Sequence, residues 1–376
     1  MYVEKKPAPM SDAVPLAPLI DCLIGGDFRE KWETTKQLTE LGPTAIAALV
    51  ALLGDADLDW ETQWFVARAL GQFDHPDALA ALVALLHSTQ EPELIAIAAE
   101  GLTHFGASGV EALLQLLRQP AHRLTATQAL ANIHHPATFQ PLLAAATDPD
   151  PTIRAVAFTA LSHFRRGPVD DLLLAGLQDV NPVVRQEAIR QLGVRSYLLE
   201  RINLIEHLLP GLWDINPAVN QATVIALGRL GTETAIAALT RVLTSPHTPT
   251  ALQLSIIQTL GWIDTESALS ALITARNTLP RSLHPEIVET LTRFQGDPLR
   301  RRAGEMLQDW LRTEMRLSTD GEWLQAALAL ALGSLHYQPA LPLLQSLLRE
   351  SDGYTQLYAQ TALRQLTNTD SAEILD

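Results

Sequence analysis

Hydrophobic positions in this chain fall into two kinds of stretch that alternate. One kind ends in a leucine followed by glycine or another small residue, as in Ala69-Leu70-Gly71, Gln191-Leu192-Gly193, Ala226-Leu227-Gly228, Thr259-Leu260-Gly261 and Ala331-Leu332-Gly333. The other kind is more continuously apolar: Ala45 to Leu53, Ala78 to Leu86 and Val110 to Leu117. Short turns carrying Gly or His-Pro join the first kind to the second, at Leu41-Gly42-Pro43, Asp74-His75-Pro76 and His134-His135-Pro136. The pattern predicts pairs of helices, and the aligned leucines repeat. Leu38, Leu70, Leu102, Leu130, Leu161, Leu192, Leu227, Leu260, Leu291, Leu332 and Leu363 are spaced by 28 to 35 residues except for one interval of 41, between Leu291 and Leu332. A period of this length is one helical hairpin.

The second helix of each pair ends at an acidic or proline-bearing turn, such as Asp148-Pro149-Asp150-Pro151, Asp179-Val180-Asn181-Pro182 or Asp214-Ile215-Asn216-Pro217. Asp and Asn accept the orphan N–H groups at the start of the next helix, and proline suits its first turn. A unit of about 30 residues cannot bury its own apolar stripe, so neighbours must stack into one core. The expected fold class is therefore all-α: an α-solenoid superhelix of about ten helical hairpins. The expected organisation is a disordered tail over 1–12, one solenoid over 13–368 and a short tail over 369–376. Within the solenoid, 13–26 is a half-repeat capping the N-terminus. The long interval marks an inserted long helix over 298–320, from Pro298 to about Arg316.

Segments such as Asp150-Pro151-Thr152-Ile153-Arg154-Ala155-Val156-Ala157 and Asn181-Pro182-Val183-Val184-Arg185-Gln186-Glu187-Ala188 resemble the HEAT-like repeats of the phycobilisome lyase class. The resemblance covers nearly the whole chain and implies an armadillo-type fold. It also implies a cyanobacterial-type adaptor, since relatives include bilin lyase subunits, a phycobilisome-degradation factor and a HEAT protein that partners an iron–sulfur carrier. Such repeats serve many unrelated tasks, so the resemblance speaks to fold far more than to function.

In this class of repeat the helix ending in Ala-Leu-Gly lines the concave side, with exposed positions three, six and seven residues before the glycine. The rule selects Trp32, Glu33 and Lys36, then Trp64, Phe65 and Arg68, then Ala96, Ile97 and Glu100, and so on to Leu254, Ser255 and Gln258. Trp32 and Trp64 lie one period apart, side by side on adjacent helices. Trp60, one turn before Trp64, extends the aromatic surface or caps the helix start. Aromatic residues with arginine are enriched at interface hot spots, so Trp32, Lys36, Trp60, Trp64, Phe65, Arg68 and Ile97 are the candidate partner-binding residues. A register shifted by one position would instead make the tryptophans core.

Composition narrows the function classes. With 376 residues and a formal net charge of -15, the chain would repel phosphate backbones, which argues against nucleic acid as a partner. No long apolar stretch or signal-like N-terminus is present, so neither membrane insertion nor export is expected, and the expected location is cytoplasmic. The single cysteine, Cys22, aligns with the packing positions Leu52 and Leu85, and one thiolate cannot hold an iron–sulfur cluster unless a partner supplies the rest.

Other candidate chemistry has a bland reading beside it. Arg123, Arg154 and Arg185 recur at a period of 31, either as a basic ladder for an acidic ligand or as bridges to Asp148 and Asp179. Arg300, Arg301 and Arg302 form a basic run on the inserted helix, a secondary basic patch or a solvated face. Histidines cluster in turns, with no His-Glu dipeptide of the kind that HEAT-like di-iron hydroxylases use, and His134-His135 lacks a nearby acid. No phosphate loop or nucleophile elbow occurs, so neither a catalytic residue nor a metal is expected. The leading expectation is a noncatalytic scaffold whose concave groove captures a protein, possible settings being photosynthetic antenna or iron–sulfur assembly. The alternative is a bilin lyase or tetrapyrrole-handling subunit acting on phycobiliproteins, with bilin or cluster held only together with a partner.

Overall fold

A computed structural model describes residues 15–55, 57–164, 167–316, 322–350 and 353–368. The expected tails over 1–12 and 369–376, and the last residues of the inserted segment, lie outside these. All regular elements among the described residues are helical. The chain divides at Leu172/Leu173 into two compact units.

In the first unit the helices are α1 (Leu16–Gly25), α2 (Phe28–Glu40), α3 (Ile46–Leu53), α4 (Trp60–Leu70), α5 (Pro76–Ser88), α6 (Pro92–Leu102), α7 (Gly106–Leu117), α8 (Arg123–Asn132), α9 (Phe139–Ala145) and α10 (Pro151–Leu161). The even-numbered A helices stack in series, α2 on α4, α4 on α6, α6 on α8 and α8 on α10. The odd-numbered B helices fill the other layer, each packed against the A helix that follows it. Helix α11 (Gly167–Gly176) carries the division between the units.

The second unit repeats the scheme. Its A helices are α12 (Pro182–Leu192), α14 (Pro217–Leu230), α16 (Thr250–Ile263), α18 (His284–Leu291), α20 (Glu322–Ser334) and α22 (Gly353–Asn368). Between them lie the B helices α13 (Leu204–Leu208), α15 (Glu233–Leu243), α17 (Glu266–Ala275), α19 (Asp297–Arg316) and α21 (Leu341–Glu350). Each A helix contacts the next, and α15, α17, α19 and α21 likewise run as a second ladder. This two-layer ladder of hairpins is an α-solenoid. The leucines of the sequence period form its spine: Leu38, Leu70, Leu102, Leu161, Leu192, Leu227, Leu260, Leu291 and Leu332 are fully buried.

Local chemistry sets the helix starts. Asp27 opens α2 with a reciprocal box, accepting from Glu30 N–H while Glu30 accepts from the Asp27 N–H, both at 2.8 Å. Asp59, Asp150, Asn181 and Asn216 cap later A helices, the last three followed by proline at the first helical position. His75 and His135 cap too, each ring Nδ1 accepting a backbone N–H at 3.2 Å, which accounts for two of the turn histidines.

The recurring glycine after the aligned leucine has a packing cause. A Cβ on Gly71 would stand 2.7 Å from the Cα of Gly101, and one on Gly193 would stand 2.9 Å from the Cα of Ala226. Successive A helices approach backbone to backbone there, and only glycine leaves the room.

Helix α19, twenty residues long, is the insertion that the 41-residue interval announces. It joins the B ladder rather than leaving it, and its C-terminal half is anchored by a buried cluster. Glu314, largely buried, accepts from Arg281 Nη2 at 2.7 Å and from Trp310 Nε1 at 3.3 Å. The buried His284 ring meets Trp310 edge-on at 5.1 Å, and its Nε2 lies 3.2 Å from the Arg276 carbonyl. Burial holds the His284 imidazole below its ordinary pKa, against the upward pull of the Arg276 carbonyl and Glu314.

Candidate functional site

The A-helix face of the first unit carries the site that the sequence points to. Helices α2 and α4 lie side by side, with Trp32 and Trp64 half-buried on their outer faces. The guanidinium of Arg68 sits between the two indoles, 4.5 Å from the Trp32 ring centre and 5.5 Å from that of Trp64. Lys36 Nζ lies 6.0 Å from the Trp32 ring and pairs with Glu33 at 3.0 Å. These are cation–π distances, and they hold the indoles and the guanidinium in one arrangement before any partner arrives. A cleft of about 320 Å³ opens beside them, lined by Trp32, Thr35, Lys36, Thr39, Arg68 and Gln72.

Phe28 belongs to this surface although the repeat rule does not select it. Its ring is stacked on Trp32 at 6.3 Å, meets Phe65 edge-on at 5.3 Å, and is 60% exposed. The signal available in sequence was its place directly after the Asp27 cap, one helical turn before Trp32.

Two candidates do not face outward. Phe65 is 0% exposed and Ile97 is 5% exposed, so both are core residues. The geometry of 3.6 residues per turn explains the error. Positions three and seven before the glycine differ by about 40° around the helix, whereas the sixth lies about 60° further round, on the flank that the neighbouring A helix covers. Trp60 is 56% exposed as the first residue of α4, and neither aromatic nor cationic side chains of the described residues stack on it. It lies on the same helix one turn before Trp64, and helix capping falls to Asp59.

The arginine period resolves into structural bridges. Arg123 pairs with Asp148 at 3.0 Å, and Arg185 holds Asp214 through two hydrogen bonds. Arg154 and Arg185 also donate to the carbonyls of Asp148 and Pro149, and of Asp179 and Val180. The basic run on α19 disperses, since consecutive helical residues point about 100° apart. Arg300 reaches the Leu335 carbonyl at 3.4 Å, Arg302 pairs with Glu266 and also touches Ser270, and Arg301 is exposed, so the three do not form one patch. Cys22 is half-buried, its Sγ accepting from the Thr34 hydroxyl at 3.1 Å. Beneath the aromatic surface, Lys31 is 4% exposed and donates to Thr62 Oγ1 at 2.8 Å and Glu61 Oε2 at 3.2 Å.

A second A-face feature lies in the other unit. Between α20 and α22 a cleft of about 740 Å³ is bordered by Trp323, Tyr354 and Tyr358, with Ala326, Ala327 and Leu330 as its floor and Glu322 at its edge. Applied to these last two repeats, the same rule selects Ala326, Ala327 and Leu330 on α20, and Tyr358 beside Leu357 on α22. Small floor residues carry no signal of their own in sequence, and the cleft appears only when the two helices are set side by side. Among the described residues no group of three His, Cys, Asp or Glu side chains gathers to hold a metal ion, and no helix is long and apolar enough to cross a membrane.

A two-layer ladder of A and B helices with capped, proline-marked repeat starts defines a helical-repeat solenoid. The HEAT-repeat family model matches residues 16–103, 110–193 and 205–291, and the chain belongs to that family. No curated protein matches it. Among solved structures it is similar to importin β, with a TM-score of 0.55 at 13% identity, covering 94% of this chain and 55% of that one. It is also similar to Kap95p in the structures with RanGDP (TM-score 0.53, 12% identity, 94% and 61% covered) and with Nup1 (TM-score 0.52, 13% identity, 92% and 61% covered). At such identities the likeness is one of fold.

Proposed function

We propose that the chain is a noncatalytic scaffold that holds a partner protein on its A-helix face, with Phe28, Trp32, Trp64 and Arg68 as the anchor. The observation that carries this reading is the Arg68 guanidinium fixed between two half-buried indoles beside an exposed phenyl ring. Large rigid side chains and arginine dominate binding energy at protein interfaces, and an arrangement already ordered loses little freedom when a partner arrives. The neighbours Kap95p and importin β have this fold at larger size, and the Kap95p structures contain Ran or Nup1, which supports partner binding as the use of such a ladder.

The test is affinity purification from the native host with the intact chain and with a Phe28→Ala/Arg68→Ala variant. Proteins retained by the first and lost by the second support the reading; identical sets from both would end it. The narrower assignment, an adaptor of the phycobilisome lyase class serving antenna or iron–sulfur assembly, rests on the resemblance of the Asp150-Pro151 and Asn181-Pro182 repeat starts. It predicts phycobiliproteins or an iron–sulfur carrier among the retained proteins. Its tetrapyrrole-handling version predicts a changed visible spectrum when bilin is added to the purified chain.

A further inference from the structure

We infer that the cleft between α20 and α22 is a second docking site, and that its occupant is an arginine-bearing segment of another protein. The inference rests on the scaffold reading but concerns a different surface. On α20, Trp323, Ala326, Ala327 and Leu330 fall at i, i+3, i+4 and i+7, one strip facing the cleft. On α22, Tyr354 and Tyr358 fall at i and i+4 and form the other wall. Trp323 is 46% exposed and Tyr354 77% exposed, large aromatic surfaces left in water on the last two described A helices of the ladder. The starts of the two helices are tied by the buried Thr355 hydroxyl, which donates to the Glu322 carbonyl at 3.0 Å, so the walls are held in place.

Four tryptophans of the chain carry an arginine on the ring, whereas among the described residues Trp60 and Trp262 carry none and border no aromatic cleft. Trp32 and Trp64 share Arg68, Trp213 carries Arg241 at 5.3 Å, and Trp310 carries Arg276 at 5.0 Å. Among the described residues no cation stands over Trp323, and the Glu322 carboxylate at the cleft edge has no ion pair. Three aromatic rings and an unpaired carboxylate around an apolar floor form the complement of a guanidinium on an aliphatic stem. The stem covers Ala326 and Ala327, the planar head lies on an aromatic face, and Glu322 supplies the counter-charge. A volume of about 740 Å³ accommodates more than one side chain, so a short segment fits better than a single residue. The net charge of -15 draws a basic segment toward the chain.

The test uses the full chain and a fluorescein-labelled alanine–serine peptide carrying spaced arginines, with its citrulline counterpart as a neutral isostere, read by anisotropy. The expected result is binding of the arginine peptide at least about fivefold tighter than the citrulline peptide. Tyr354→Ala and Trp323→Ala should each weaken it about fivefold or more, Glu322→Gln should weaken it and reduce its salt dependence, and Trp64→Ala should leave it unchanged. Tyr354 is exposed enough that its substitution leaves folding intact, which the melting temperature verifies. Equal binding of both peptides, no binding of the arginine peptide, or insensitivity to Tyr354→Ala overturns the assignment. Sedimentation that shows self-association abolished by Tyr354→Ala would assign the cleft to a second copy and overturn it as well. Loss of arginine binding in the cleft variants with the Phe28/Arg68-dependent partners retained separates this site from the first.

Discussion

Arg185 clamps Asp214 from the preceding repeat, Nε to Oδ2 at 2.7 Å and Nη2 to Oδ1 at 2.8 Å. Asp214 also accepts the N–H of Asn216, so one carboxylate joins a repeat bridge to a helix start. The hydrogen bonds from Arg185 are the main reason its carboxyl titrates below its ordinary range, with burial working in the opposite direction. Asp214→Ala leaves the guanidinium without its partner, and the expected cost is about 2 kcal/mol, seen as a lowered melting temperature. The pH arm follows from the sign of the shift. A carboxyl depressed in the fold stabilises above the unfolded value and loses that contribution as pH falls through the folded one. The melting temperatures of the parent and Asp214→Ala should therefore converge in acid, below the usual carboxylate range.

His284 gives the opposite end of the scale. Its imidazole is kept neutral by burial, so the unfolded chain binds a proton more readily than the folded one. Stability is full above the ordinary histidine range and declines as pH drops through it. A His284→Phe variant keeps a ring against Trp310 and should lose less stability than the parent between pH 7.5 and about pH 5.5, as thermal melts at the two values would show.

Phe28 and Phe65 touch, yet their substitutions should separate folding from binding. Phe65→Ala empties a fully buried site and should cost about 3 to 5 kcal/mol. Phe28→Ala removes a largely exposed ring and should leave the melting temperature nearly unchanged while weakening partner capture. If Phe28→Ala destabilised the chain as much as Phe65→Ala, the outer aromatic surface would belong to the core.

Gly71→Ala tests the backbone contact that the recurrent Ala-Leu-Gly ending provides. The added methyl meets the Cα of Gly101, which cannot rotate away, and the expected loss is about 1 to 3 kcal/mol. Gly25→Ala, where a Cβ meets nothing within 4 Å, serves as the control in the same denaturation series.

The architecture was legible because its signals are local and repeated. Leucine spacing, Asp and Asn before proline, and one long interval each depend on residues close in sequence, and the helix starts at Asp150, Asn181 and Asn216 follow them. Arginine bridges to the turn aspartates were legible as one of two readings, with Asp148 and Asp179 as partners. Arg123 does pair with Asp148, but Arg185 grips the Asp214 carboxylate of the following turn and meets Asp179 at its carbonyl, because charge and spacing alone do not say which side chain is in reach. Phe65 and Ile97 were misplaced for a different reason. That flank of an A helix is covered by the preceding repeat, as Phe28 of α2 covers Phe65, and how far depends on the angle between two helices about 30 residues apart. Arg300 to Arg302 show the same limit in reverse, as contiguity in sequence became divergence around α19. The cleft at Trp323 and Tyr354 needs two helices placed side by side and small residues between them, which no single segment announces.

The Arg185–Asp214 clamp also dictates where the chain tolerates being shortened. A fragment ending just after α12 discards both the carboxylate that Arg185 holds and the helix packed on α12, so its new end would bare apolar surface and be sticky. Extending the fragment past Asn216 restores the counter-ion, so the workable cutting points of this ladder lie inside the following repeat and not at the visible joint.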